Sequence, residues 1–223
     1  MIMRPNSMSG STAPSDLIRI AANLAKKSLR GRQIVSSIAA DRSKWNSRWQ
    51  DSKGDSFPPK PHELGALWGH RFAGGPMLDA AAGLGRGIAT AGPAFHPVFA
   101  VDISDVAVFR ARNYWRDDSR IRWIVADVHS ILWPHGFFGL VCAFGFTHLP
   151  FFARLPHLIA PGGMFLYEGF SKRQITVKPS LNPEWTATGE QMRAFFPGWE
   201  ILTCEESASQ PFLLRFTAIR PTF

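Results

Sequence analysis

The chain has 223 residues, 45% of them hydrophobic and 19% charged, with a formal net charge of +8. That balance supports one domain with appendages around a true core, and it excludes a disordered or fibrous chain. Eighteen Phe and eight Trp against two Tyr predict a largely aromatic core.

The charge is concentrated at the N-terminus. Residues 1–40 hold Arg4, Arg19, Lys26, Lys27, Arg30 and Arg32 against Asp16 alone. A nucleic-acid partner is not favoured, because a duplex-binding surface spreads its cations over a folded face. Residues 1–14 read as a tail rich in Ser, Met and Pro. Ser15 or Asp16 then caps a helix to about Leu29, with Leu17, Ile20, Ala21 and Leu24 on one face and Arg19, Lys26 and Arg30 on the other. Three readings stay open for this helix: packing on the main domain, weak contact with a membrane surface, and an organelle transit segment. The domain boundary is placed between a basic segment, 1–40, and a main domain, 41–223. No apolar run approaches the roughly 20 residues of a membrane span, residues 1–15 lack a secretory signal, and Cys142 and Cys204 read as buried free thiols. A cytoplasmic location is expected.

From Leu64 onward, apolar strands alternate with amphipathic helices. Met77–Ala80 reads as a strand running into Gly83-Leu84-Gly85-Arg86-Gly87, with a helix to about Ala91. Val98–Asp102 is a second strand, and Ser104 caps a helix over 105–115. Ile121–Ala126 is a third strand ending at Asp127, and Phe138–Phe144 a fourth. A helix over 151–159 leads to a fifth strand, Met164–Tyr167. After a helix near 189–196, strands at 199–202 and 212–219 are separated by a stretch too short for a parallel crossover, so they form an antiparallel hairpin. The expected fold is a Rossmann-like, doubly wound α/β domain with a mostly parallel, seven-stranded sheet closed by that hairpin.

In such sheets, ligands bind beyond the strand carboxyl ends. Gly83 and Gly85 let the backbone turn tightly and approach a ligand. Asp102, 19 residues after Gly83, can accept from both ribose hydroxyls of an adenosine. Asp127 can accept from an adenine amine, and Asp79 can face a ligand ammonium. Ile88 stands where a dinucleotide fingerprint wants glycine, and no triphosphate loop is present, so the ligand is an adenosyl group without phosphates.

Leu78-Asp79-Ala80-Ala81-Ala82-Gly83-Leu84-Gly85-Arg86 resembles motif I of the class I S-adenosylmethionine-dependent methyltransferases. Val101-Asp102-Ile103-Ser104 resembles the acidic motif that follows it, and Ala160-Pro161-Gly162-Gly163 the loop before strand five. Trp45-Asn46-Ser47-Arg48-Trp49 is similar to the opening of the TehB-like (tellurite-resistance-like) branch, although Leu84 replaces the polar residue usual between the loop glycines. The resemblance implies S-adenosyl-L-methionine as cofactor. Asp79, Ala80, Gly83 and Gly85 would hold its methionine end, Asp102 and Ile103 the ribose, and Asp127 and Val128 the adenine. Phe144 would lie beside it, with Trp45 and Arg48 closing over it and Arg48 meeting its carboxylate. His148 and Glu168 are the candidate catalytic groups, and no metal is expected. Phe144, Phe146, Phe151 and Phe152 cluster near the expected site and point to a small, lipophilic acceptor. The alternatives are a non-catalytic protein that binds the cofactor or its product, and an RNA or protein methyltransferase. The sequence leaves the oligomeric state open.

Overall fold

The computed structural model describes residues 30–51 and 59–222. The helix expected over 15–29, and the membrane reading attached to it, lie outside the described residues. The chain divides into two units at Asp41/Arg42. Helix α1 (Arg30–Asp51) crosses that boundary, and its residues from Arg42 onward pack within the second unit. Among the described residues, no helix is long and apolar enough to cross a membrane.

The second unit is a three-layer α/β domain. Its elements are α2 (Glu63–Trp68), β1 (Gly75–Ala80), α3 (Arg86–Ala91), β2 (Phe95–Asp102), α4 (Asp105–Tyr114), β3 (Ile121–Val125) and β4 (Phe138–Phe144). There follow α5 (Leu149–Phe152), α6 (Leu155–Leu158), β5 (Ile159–Ser171), α7 (Gln174–Val177), β6 (Thr186–Ala187), α8 (Gly189–Phe195), β7 (Glu200–Glu206) and β8 (Leu213–Ile219). The strand order is β3-β2-β1-β4-β5-β8-β7, with β6 paired to β5. The sheet is parallel from β3 to β5, while β8 runs antiparallel to both β5 and β7. The Rossmann-like sheet and its closing hairpin are as expected. The eighth strand, β6, has two residues, too few to leave a periodic signal.

Strand alternation divides the core between the two faces. Phe165 and Tyr167 point to one face with Val141, Phe151, Phe152, Met192 and Phe196. Met164 and Leu166 point to the other with Leu64, Met77, Ile88, Leu140 and Cys142. Cys142 is fully buried, whereas Cys204 on β7 is only half-buried; both are free. The helix expected over 151–159 is instead two single turns, α5 and α6, because Pro150 and Pro156 each open a new turn.

Phe151 and Phe152 are fully buried, which corrects their expected place beside an acceptor. The Phe152 ring meets Phe165 edge-on at 5.4 Å and Tyr167 at 5.3 Å. Truncating so enclosed a ring costs about 3–5 kcal/mol. Phe152→Ala is therefore expected to lower the urea midpoint by that equivalent. Below its transition it should bind ligand like the parent; a selective loss of ligand binding would return Phe152 to the site.

Candidate functional site

The loop leaving β1 lies where strand order reverses between β1 and β4, so its residues open onto the crevice that such sheets use for ligands. It turns through three left-handed positions: Ala81 at φ 54°, Gly83 at 52° and Gly85 at 92°. For Ala81 this is a sparsely populated conformation, of the kind that gathers at ligand sites. The loop is tied to β2 by Ala82 N–H donating to Val101 O at 2.9 Å and by Gly83 N–H donating to Asp102 Oδ2 at 2.8 Å. The two glycines make room for protein rather than only for ligand. A Cβ on Gly83 would lie 2.9 Å from the Trp49 ring, and one on Gly85 would lie 2.7 Å from Trp115 Nε1. Trp115 also donates to Leu84 O at 2.9 Å, so two indoles clamp the loop.

Asp79 is buried beneath this loop. Its Oδ2 accepts from Ile88 N at 3.2 Å, and its carboxylate packs so closely on Gly87 that any Cβ there would collide. Burial raises its pKa, the Ile88 amide opposes that, and the neighbouring Asp102 adds to the rise, leaving it at about 8. Without a ligand the group pins the start of α3, and its burial favours the protonated form.

Asp102 closes β2 and is 6% exposed. Its Oδ1 accepts from Ser104 N at 2.8 Å while Oδ2 takes Gly83 N. Each oxygen keeps one further lone pair, which is the capacity needed for two vicinal hydroxyls. Burial raises its pKa, against the backbone amides that lower it. Ile103 follows, and its carbonyl accepts from Arg42 Nε at 3.1 Å. Asp127 is half-buried and uses one oxygen, Oδ1, to accept from His129 N at 2.9 Å. Val128 beside it is buried, and His129 Nδ1 is buried with no partner among the described residues. Bent backbone, a carboxylate with spare lone pairs and an unpaired ring nitrogen suit a ribose and a base, so these residues fit an adenosyl group.

The opening of α1's last turns reads this same corner. Asn46 Nδ2 donates to Asp105 Oδ1 at 2.7 Å and its Oδ1 accepts from Ser104 Oγ at 2.7 Å. Arg110 donates to Trp49 O at 2.7 Å. Trp45 meets Trp185 with ring centroids 6.3 Å apart, Lys44 Nζ lies 3.7 Å from the Trp185 centroid, and the exposed Arg48 lies over Trp45 at 5.2 Å. Within this helix it is thus Arg42, Asn46 and Trp49 that touch the corner around Gly83, Ile103 and Ser104, while Trp45 meets Trp185 and Arg48 lies over Trp45. Sequence reasoning missed those three residues, although Asn46 and Trp49 lie in the motif it singled out.

Phe144 ends β4, is half-buried, and stacks flat on His62 at 4.3 Å and 3°. His62 is buried at the start of α2. Its Nδ1 accepts from Leu64 N at 3.1 Å, so the ring proton sits on Nε2, which donates to Glu168 Oε2 at 3.1 Å. Glu168 Oε2 also accepts from Arg215 Nε at 2.9 Å, and Arg215 pairs with Glu63. Burial would raise the Glu168 pKa, but hydrogen bonds from His62 and Arg215 and the neighbouring positive charge pull it to about 2. A carboxylate held so low is a poor proton acceptor at neutral pH, so Glu168, a candidate catalytic group by sequence, has the character of an anchoring charge. It organises its neighbours instead: Gly145 N–H also donates to Glu168 O at 2.7 Å.

His148 has the same construction as His62. Its Nδ1 caps α5 by accepting from Phe151 N at 3.1 Å, which leaves a donor at Nε2. Burial and the neighbouring His129 lower its pKa, against Asp127 and Glu184. Its ring is 4.6 Å from that of His129 and stacks with Phe146 at 6.2 Å. His148 and Glu168 contact separate sets of neighbours and do not form a pair. An open groove of about 1120 Å³ lies elsewhere, between α4 and β3 at the sheet edge; it contains none of these candidate groups.

Residues 77–163 match a family model described as a methyltransferase domain. No curated protein matches the chain in sequence. Among solved structures, the [4+2]-cyclase SpnF is similar at TM-score 0.56 and 17% identity, with 72% of this chain and 81% of that one covered. The N-methyltransferase NodS from Bradyrhizobium japonicum WM9 is similar at TM-score 0.57 and 12% identity, covering 75% and 99%. Geranyl diphosphate C-methyltransferase from Streptomyces coelicolor A3(2), solved with Mg2+, geranyl diphosphate and S-adenosyl-L-homocysteine, gives TM-score 0.55 and 12% identity, covering 70% and 77%. These structural likenesses establish the shared fold, and the stretch that resembles the methyltransferase model runs from β1 into β5.

The buried carboxylates give opposite pH signatures. Asp79 binds its proton up to about pH 8 when folded, against 3.8 for an unperturbed aspartate. Its contribution is therefore greatest below about pH 3.8 and is lost as pH rises toward 8. Glu168, at about 2 against 4.5, contributes fully above about pH 4.5 and is lost as pH falls toward 2. In urea titrations across pH, Asp79→Asn is expected to remove a slope of up to about 1.4 kcal/mol per pH unit between pH 4 and 8. Glu168→Gln should flatten the acid limb. An Asp79→Asn profile parallel to the parent's would show that the carboxyl titrates normally.

Proposed function

We propose that this chain is an S-adenosyl-L-methionine-dependent methyltransferase that acts on a small-molecule acceptor docked beyond the carboxyl end of β4. The observation that carries the reading is the Asp102 corner: a buried strand-end carboxylate tied to the bent β1 loop, with hydrogen-bonding capacity left for a ribose. NodS and the geranyl diphosphate enzyme, both methyltransferases by name, share the fold. The Trp45–Trp49 motif supports a place near the TehB-like branch, since Asn46 and Trp49 of that motif seat α1 against this corner.

Bound S-adenosylmethionine supplies a methyl group activated on a sulfonium. The protein's work is then alignment and exclusion of water. Asp102 receives the ribose hydroxyls, and the free oxygen of Asp127 with the Val128 amide receives the adenine. Trp49 and Trp115 keep the β1 loop in its bent form. Phe144, fixed by His62, forms the floor at the end of β4, and Phe146 with His148 lines the acceptor side. Phe144 and Phe146 are half-buried and give that side an apolar surface, which favours a lipophilic acceptor. His148 presents an Nε2 proton and serves as a hydrogen-bond donor to the acceptor. With Glu168 held ionised and His148 capped, the acceptor brings its own nucleophilicity, and its proton leaves to solvent.

Calorimetric titration tests the cofactor assignment. The parent protein is expected to bind S-adenosylmethionine with micromolar Kd and to ignore NADH. Asp102→Ala should weaken binding on the order of 10- to 100-fold, the worth of one or two hydrogen bonds to a charged group. Binding of NADH, or equal affinity in Asp102→Ala, would sink the assignment.

A further inference from the structure

We propose that Arg86 is the receptor for the carboxylate at the amino-acid end of the cofactor; this rests on the methyltransferase reading above. That end carries a carboxylate which must exchange water for donors of comparable strength. The sequence points to Arg48 for this task, but Arg48 is exposed and lies over Trp45, on the side of α1 that faces Trp185. Arg86 is the first residue of α3 and directly follows Gly85 in the bent loop. Its guanidinium stands 5.8 Å from the Phe144 centroid, which brings it from the end of β1 over the end of β4, across the point where strand order reverses.

Its bonding leaves the guanidinium available. Among the described residues, the Arg86 guanidinium donates no hydrogen bond. The nearest carboxylate oxygen, Glu168 Oε1, is 3.8 Å away, beyond hydrogen-bond reach. Glu168 is satisfied from its other oxygen by His62 and Arg215, and Arg215 also serves Glu63. Arg86 is therefore held in place by Phe144 and by the field of Glu168 while its planar fork of donors stays unspent. Its side chain is 48% exposed, open to a ligand rather than enclosed by the fold. A planar fork that is half-open and lightly tethered is suited to bidentate capture of a carboxylate.

Two probes separate this role from a structural one. S-adenosylhomocysteine has the amino-acid end, and 5′-methylthioadenosine has the adenosine and thioether without it. In calorimetric titrations of the parent, Arg86→Gln and Arg86→Ala, both variants are expected to bind S-adenosylhomocysteine about 10- to 100-fold more weakly. Their affinity for methylthioadenosine should equal the parent's, so the parent's preference for the longer ligand collapses. Unchanged affinity for S-adenosylhomocysteine would overturn the assignment, as would equal weakening of both ligands, which would place Arg86 in the scaffold. A parent protein that binds neither ligand would remove the methyltransferase reading itself.

Discussion

Two backbone amides from different elements converge on the buried carboxylate of Asp102, and the geometry of the crevice depends on that convergence. Gly83 N–H comes from the β1 loop and Ser104 N–H from the start of α4. A carboxylate so far out of water is costly unless its oxygens accept hydrogen bonds. The loop and the helix are thus drawn to the same point by one requirement. Ser104 in turn caps α4 and donates to Asn46, which carries the constraint into α1. Asn46, Ser104, Asp102 and Gly83 form one connected polar path across three elements, and the tryptophans at positions 49 and 115 fill the space around it.

Three buried or nearly buried carboxylates lie toward the carboxyl ends of this sheet, Asp79 and Asp102 closing their strands and Glu168 within β5, which runs on to Ser171, and their surroundings drive them to different states. Asp79 meets the amides of Ile88 and Gly87 and a second buried carboxylate, but desolvation dominates and favours the protonated form. Asp102 has backbone donors on both oxygens, so its burial is better compensated. Glu168 has an arginine and a histidine, and its charge is fixed. Residue type and position along a strand do not distinguish these cases; the partners do. That is why the sequence, which reads all three as acids near carboxyl ends, does not by itself separate their states.

The sheet was legible because its strands are apolar runs that end in an acid or in glycine. The closing hairpin was legible from the short polar gap between its strands. The broken helix was not, since Pro150 and Pro156 lie six residues apart in an otherwise apolar segment, and each can equally open a helix. In the site, the glycines and Asp102 stand out by spacing, whereas His62 does not. It sits after a Pro-rich stretch with no periodic context, and only its place directly before Glu63-Leu64 hints that it caps a helix. Trp115 reads as the end of an amphipathic helix, and nothing local reveals that its indole reaches back 31 residues to Leu84. Arg86 lies within the β1-loop motif, but the significance of an arginine there depends on which carboxylates are already paired.

His62 and His148 connect the fold to the chemistry. Each opens a helix and spends Nδ1 on a backbone amide two or three residues ahead, which fixes the neutral tautomer and leaves Nε2–H as its outward group. In His62 that proton holds Glu168, and the ring is thereby locked flat against Phe144. In His148 it is the group proposed to meet the acceptor. To act as a base at Nε2, His148 would have to move its proton to Nδ1 and give up the cap on α5, exposing a buried amide at a cost of about 1–3 kcal/mol. Helix capping therefore biases both imidazoles toward donation. An active centre built on donors and fixed aromatic surfaces is suited to a displacement in which the leaving group is already good. The gain then comes from holding two reactants in line, and rigid capped residues at strand ends provide that alignment.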